Sequence, residues 1–275
     1  MIMKTSAFSL AFLCIVTCFF VECGKKTESV NIEGKEELKN TRIDQVEPLM
    51  PPEPVETLAV QNDTDEELPP DTFKISSKPK VIKPTKVYMM SNKTYKDYQN
   101  GEENLNDPIY KALYFGGCSW YCGGVVDTIV ASQCHYPESG KTYEAENAHD
   151  FNHETAWVTK GNGCGESITF TFPEGCPRVN SVAIVNGYAA NNRLWKANSR
   201  VKTLSVYYND KLYCTLNLQD KRALQRFDLD ILGYPPNTKY SKPWKLKFVI
   251  KEIYRGNKYE DTAISEFVYD GIDVH

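Results

Sequence analysis

The chain has 275 residues, with 32 Lys and Arg against 36 Asp and Glu and a formal charge of −4. No basic face or stripe stands out in that mixture, which argues against a nucleic-acid binder. Hydrophobic residues make up 41% and charged residues 25%, enough for most of the chain to fold but too unevenly spread for two catalytic domains.

Met1 to Lys4 carries one positive charge, and Ser6 to Val21 is almost wholly apolar. That stretch is short for a membrane span of ~20 residues and suits a signal-peptide core, so residues 1–22 read as an export signal. Cys23, followed by Gly24-Lys25-Lys26, stands where a bacterial lipoprotein signal places its lipidated cysteine, although Glu22 replaces the small residue that normally precedes it. The expectation is an exported lipoprotein at the cell envelope, anchored through Cys23. The alternative is cleavage to a free secreted protein.

Residues 23–85 read as a disordered, acidic, proline-rich tether. Residues 24–85 hold 9 basic and 13 acidic residues, 8 of the 15 prolines and a single aromatic, Phe73. Pro48, Pro51, Pro52, Pro54, Pro69 and Pro70 favour extended backbone, and like charges stiffen it. So few apolar groups cannot offset the entropy of ordering.

Residues 86–275 read as one domain, with 22 basic and 22 acidic residues and 28 of the 33 aromatics. Its patterns have period two. Ile168, Phe170 and Phe172 share one face of Ser167–Phe172; Leu204, Val206 and Tyr208 repeat the pattern, as do Leu246, Phe248 and Ile250. Val179–Val185, Lys211–Leu218 and Ala263–Tyr269 are further short runs of strand type. Asn209-Asp210 between two of them fits a two-residue hairpin turn. Only Asn192–Asn198 suggests a turn of helix. Many short strands separated by Gly and Pro clusters predict an all-β sandwich or barrel.

Of nine cysteines, Cys14 and Cys18 fall in the signal and Cys23 at its end, leaving Cys118, Cys122, Cys134, Cys164, Cys176 and Cys214. In an oxidising compartment some of these six are expected to pair, and Cys118 and Cys122 are spaced to close a small loop. A zinc reading would combine Cys118, Cys122, Cys134 and His135, but only one short Cys spacing is present.

Asn147-Ala148-His149-Asp150-Phe151-Asn152-His153-Glu154-Thr155-Ala156-Trp157 resembles the signature of discoidin-like domains, in which an Ala and Asp-Gly-Asn precede Thr-Ala-Trp. Gly161-Asn162-Gly163-Cys164-Gly165-Glu166, Asn186-Gly187-Tyr188, Trp195–Lys202, Lys258–Thr262 and Ser265-Glu266-Phe267 follow in the same order as in that class. The series is similar to the glycan-binding domain named after the translocation domain of bacterial NAD-glycohydrolase toxins, over roughly residues 110–275. The resemblance implies an eight-stranded jelly-roll sandwich of the galactose-binding type and a non-catalytic carbohydrate-binding role. A structural or protein-interaction domain that has lost the sugar site is the competing reading. The toxin's catalytic domain has no counterpart here, and no nucleophile motif, phosphate loop or paired carboxylate site stands out.

The resemblance also implies a structural calcium held by Asp150, Asn152 and Thr155 and closed by Glu266. Calcium takes six to eight hard oxygens, which a tight loop can supply. Phe151 stands where glycine is usual, and a positive φ there would strain it. For sugars, aromatic faces and planar polar groups are needed. Trp120, Tyr121, Tyr188, Asn192, Arg193 and Trp195 are the expected ligand contacts, on a rim made by the Gly116–Gly123 and Tyr188–Arg200 loops. His149 and His153, four apart in a loop, read as incidental. No nucleic-acid partner is expected.

Overall fold

The computed structural model describes residues 78–100, 107–113 and 119–274. The expected signal, Cys23 and nearly all of the expected tether lie outside the described residues. In chain order the strands are β1 (Lys80–Ile82), β2 (Lys86–Met89), β3 (Thr128–Ala131), β4 (Trp157–Val158), β5 (Ser167–Phe172), β6 (Val179–Asn186), β7 (Ser199–Tyr208), β8 (Lys211–Asn217), β9 (Ala223–Leu232), β10 (Trp244–Tyr254) and β11 (Thr262–Gly271). Three short helices accompany them: α1 (Tyr95–Asn100), α2 (Pro108–Leu113) and α3 (Asn192–Ala197).

The strands form the two layers of a discoidin-like jelly-roll sandwich. One layer runs β3-β5-β10-β7-β8, and the other β9-β6-β11. They meet at one corner, where β11 pairs in parallel with β7 through Thr262↔Ser199 and Ala263↔Arg200. Period two in the sequence becomes alternate burial: Ile168, Phe170 and Phe172 of β5 are fully buried, while the residues between them are half-buried. Across the gap Phe170 and Phe248 meet Phe267 of the other layer with ring centroids 5.0 and 4.7 Å apart. Each such phenyl group withdrawn from water contributes about 1.5–3 kcal/mol. The β7–β8 hairpin turns on Asn209 and Asp210, at φ +44° and +67°. Two left-handed residues make a type I′ turn, whose twist matches that of its strands.

The domain begins earlier than the composition suggests. β1, inside the expected tether, pairs in parallel with β8 through Lys80↔Cys214 to Ile82↔Leu216. β2 then pairs with β9. The chain thus adds one strand to the outer edge of each layer. After β2, Tyr98 of α1 and Ile109, Tyr110 and Leu113 of α2 pack on the outside of the three-stranded layer against Val185, Leu224 and Val268.

The expectation of disulfides is not met at four positions: Cys134, Cys164, Cys176 and Cys214 are thiols. Burial pushes the Cys214 thiol up to about 12. Cys122 accepts a hydrogen bond at Sγ from the Ser119 backbone N–H at 3.4 Å, and Cys118 lies outside the described residues.

Candidate functional site

Trp120 and the Tyr188–Arg200 loop, expected to form one rim, lie at opposite ends of β6. The Trp120 indole N–H donates to the Pro177 carbonyl at 3.1 Å, in the connection that leads into β6. The Tyr188–Arg200 loop leaves the other end, where the backbone N–H groups of Asn257 and Lys258 donate to Lys196 and Ala197 carbonyls. Trp120 is fully buried, edge-on to Tyr121 and Phe172. It is a core residue, which corrects its assignment to the ligand surface. The Gly-rich loop around it is what permits burial: a Cβ on Gly124 would lie 2.4 Å from the indole.

Trp195 is half-buried and engaged on two sides. Its N–H donates to the Asn186 carbonyl at 2.9 Å, and the Arg200 guanidinium lies 4.7 Å from its ring centre. It braces the loop rather than offering a free platform. Tyr121 is half-buried; its hydroxyl accepts the Tyr269 backbone N–H at 2.8 Å, and desolvation raises the phenol above its ordinary value. Beside it the His149 Nδ1–H donates to the Phe267 carbonyl at 2.6 Å. Together these side chains satisfy the edge of β11 where it has left β7. Asn192 and Arg193 are exposed at the start of α3, and Asn192 Nδ2 donates to Asn92 Oδ1 at 3.4 Å.

Tyr188 points elsewhere, into a cluster that the motif reading missed. Its hydroxyl accepts from Lys141 Nζ at 3.3 Å, and its ring is edge-on to Tyr143 at 6.4 Å. Tyr143 in turn is edge-on to His135 at 5.5 Å. His135 Nε2 lies 3.8 Å from Asp261 Oδ2, and Asp261 Oδ1 accepts the Gly161 N–H at 2.8 Å. Tyr136, 70% exposed, carries Lys160 Nζ 3.6 Å from its ring centre. Tyr259, 41% exposed, bears on Tyr143 electrostatically and lines a small polar cleft of about 210 Å³ with Asn162, Asn257 and Glu260. Aromatic faces, cations, an imidazole and carboxylates are thus grouped where β4, β6 and β10 end. The signal available in the sequence was His135-Tyr136-Pro137, an aromatic beside proline among turn residues.

The Asp150–Thr155 loop folds onto β11. Asp150 accepts the Asn152 N–H at Oδ1 (3.0 Å) and the Thr155 hydroxyl at Oδ2 (2.7 Å). Glu266 is fully buried and accepts the Asn152 N–H at Oε1 (2.6 Å), while its Oε2 meets no hydrogen-bond partner. Burial, and then the neighbouring Asp150 carboxylate, raise Glu266 well above the usual carboxylate range. Phe151 has φ +58°, so the strain anticipated for a non-glycine residue is present, at about 1–2 kcal/mol. Two carboxylates, the Thr155 hydroxyl and the Asn152 carbonyl form a hard-oxygen donor set suited to a divalent cation of the calcium type. The Asn152 side chain is used otherwise, its Oδ1 accepting the Glu154 N–H at 3.1 Å. His149 and His153 do not share a site: His153 is buried, donates to the Lys93 carbonyl, and is lowered to about 4 by burial and by Arg222. Among the described residues no three His, Cys, Asp or Glu side chains gather as a metal cluster. Glu166 is occupied by Ser132 and Gln133.

The fold defines a discoidin-type domain. Residues 120–270, more than half of the chain, match the family model of the NAD glycohydrolase translocation F5/8 type C domain, and the chain belongs to that family. No curated protein matches it. Among solved structures it is similar to the mycobacterial arabinofuranosyltransferase AftD, at 17% identity and TM-score 0.37 over 56% of this chain and 11% of AftD. It is also similar to CBM32-3 from a family 31 glycoside hydrolase of Clostridium perfringens, at 12% identity and TM-score 0.36 over 55% of this chain and 96% of that one. A third is the Ruminococcus gnavus GH29 fucosidase in complex with fucose, at 16% identity and TM-score 0.28 over 55% of this chain and 26% of the fucosidase. The chain therefore spans only a small part of the two enzymes.

Proposed function

We propose that the protein is a non-catalytic carbohydrate-binding module that acts outside the cell, and that the sugar docks on the tyrosine cluster at the β4, β6 and β10 end. The observation that carries this reading is Tyr136. A tyrosine ring 70% exposed, with Lys160 on one face and beside His135, which packs in turn on Tyr143, offers an apolar face that a pyranose ring stacks on. His135, Asp261, Lys141 and the Asn162–Glu260 cleft supply donors and acceptors for its hydroxyls. Family membership supports a binding role, and specific recognition on sandwiches falls to loops at their ends. Of the expected contacts, Tyr188 is buried and supports the cluster by packing on Tyr143; Asn192 and Arg193 are exposed at the start of α3.

The absence of catalysis belongs to the same proposal. Glu166 is held by Ser132 and Gln133, Glu266 accepts the Asn152 N–H at Oε1, and neither lines the cleft beside Tyr259. Calcium, bound by Asp150, Glu266, Thr155 and the Asn152 carbonyl, would neutralise the buried Glu266 carboxylate and the exposed Asp150 beside it and hold the loop, a structural contribution. Export by the residues 1–22 signal, with a lipid on Cys23 and the acidic tether as spacer, would present the domain to glycans at the envelope.

A glycan array probed with the purified chain tests the reading. Saturable binding to a few related sugars supports it. Silence across a broad array would instead favour a structural or protein-interaction domain.

A further inference from the structure

The described residues cover only half of the outer face of the three-stranded layer. Tyr98, Ile109, Tyr110 and Leu113 seal the part around Val185 and Val268. Beside them a cavity of about 630 Å³ remains between the layer, β2 and α2, within the ~300–1,000 Å³ usual for small-molecule sites. Its floor is cut low by Ser181 and Ala183 of β6. Leu113, Leu224, Val268, Tyr121 and Phe151 supply apolar wall. Phe151 is the left-handed residue of the neighbouring loop. The chain holds a ring there, 5.1 Å from Tyr121 and edge-on to it, in a conformation that only glycine adopts freely.

The mouth is cationic. Lys86 and Arg226 are direct cross-strand partners, a like-charge pairing that is unfavourable in itself. Lys111 of α2 faces the same space. Arg226 bonds Asp270 at 2.9 Å and Asp228 at 3.1 Å. Among the described residues neither Lys86 nor Lys111 has an ion-pair partner. Among the described residues, three cations against two carboxylates leave one positive charge, which a single anionic group balances. The roof and one wall come from residues ahead of the 120–270 family match, so the cavity depends on residues outside the matched region.

We propose that this cavity binds a small amphiphilic carboxylate. The head lies against Lys86 and Lys111, and the apolar body runs over Leu113, Leu224, Val268 and Phe151. Its walls are aliphatic and aromatic surface rather than the close-set donors and acceptors a bare sugar requires. The site shares no residue with the tyrosine cluster, so it stands or falls independently of glycan binding.

Isothermal titration of the purified chain with decanoate below its micelle-forming concentration is the test. Decyl maltoside serves as the uncharged control, glucuronate as the carboxylate without a chain, and phosphatidylglycerol vesicles as a membrane source of anionic lipid. Saturable one-to-one binding of decanoate is expected, weakened about tenfold or more by Lys111→Glu and abolished by Ala183→Leu. Lys111 is exposed on α2, so that variant keeps the test valid even if Ala183→Leu fails to fold. The proposal is overturned if decanoate does not saturate, if Lys111→Glu binds as tightly as the parent, if glucuronate or decyl maltoside matches decanoate, or if only the vesicles bind.

Discussion

Replacing Trp120 with alanine separates a core residue from a ligand platform. The indole is fully buried between the layers. It packs on Tyr121, Phe172 and Tyr269 with centroids 5.0, 5.9 and 6.1 Å away, and its N–H satisfies the Pro177 carbonyl. Truncation of a buried Trp costs about 3–5 kcal/mol, combining lost transfer energy with the cavity left behind. The Pro177 carbonyl also loses its donor, which places the cost toward the upper end. For a domain of this size each kcal/mol lowers Tm by about 2–4 °C, so a fall of roughly 6–20 °C is expected. The assay is thermal unfolding followed by far-UV circular dichroism, with a urea titration whose slope is compared between variant and parent to keep the two-state treatment sound. Trp120→Phe, which keeps most of the packing and loses the hydrogen bond, should fall between them. An unchanged midpoint for Trp120→Ala would refute the placement of this ring in the core.

Chelation should lower Tm if calcium fills the Asp150–Glu266 site: a site saturated a hundredfold adds ~2.7 kcal/mol. Asp150→Ala should abolish the difference between calcium and chelator, and a chelator without effect on the parent counts against the ion. Thiol labelling of the native protein should modify exposed Cys164 at once and buried Cys214 only after unfolding; rapid native labelling of Cys214 would contradict its burial. His153 is lowered to about 4 in the folded state, against ~6.5 when unfolded. Between those values the unfolded chain binds more protons, so this contribution is complete above pH ~6.5 and is lost as pH falls toward 4, by up to roughly 3 kcal/mol. His153→Gln should flatten that part of the stability curve; an unaltered slope would assign it to other groups.

The sandwich was legible where alternation is long and the turn chemistry strict. β5, β7 and β10 announce their buried faces through Phe170, Leu204 and Phe248, and Asn209-Asp210 marks its hairpin. β1 and β2 were hidden because three or four residues flanked by lysines resemble the tether before them; pairing with β8 and β9, more than a hundred residues away, makes them strands. The Asp150–Thr155 turn was legible because its residues are contiguous, and its one departure, Phe151, has a definite backbone consequence. Trp120 reads as a rim residue because large aromatics beside glycines look exposed, and it is buried. In Trp120 the glycines instead allow close packing, whereas in Tyr136 the loop leaves the ring in water. Which of these holds depends on the layer each loop folds against, and local sequence does not encode that.

The most direct test of the central claim is the affinity of the parent and of Tyr136→Ala for a sugar that the array identifies, measured by titration calorimetry. Loss of one stacked ring should cost about 1–3 kcal/mol, a weakening of roughly 5- to 150-fold at ~1.4 kcal/mol per decade, while Tm stays within a degree or two because the ring is exposed. An equal Kd for the two proteins would contradict the placement of the carbohydrate site at the tyrosine cluster.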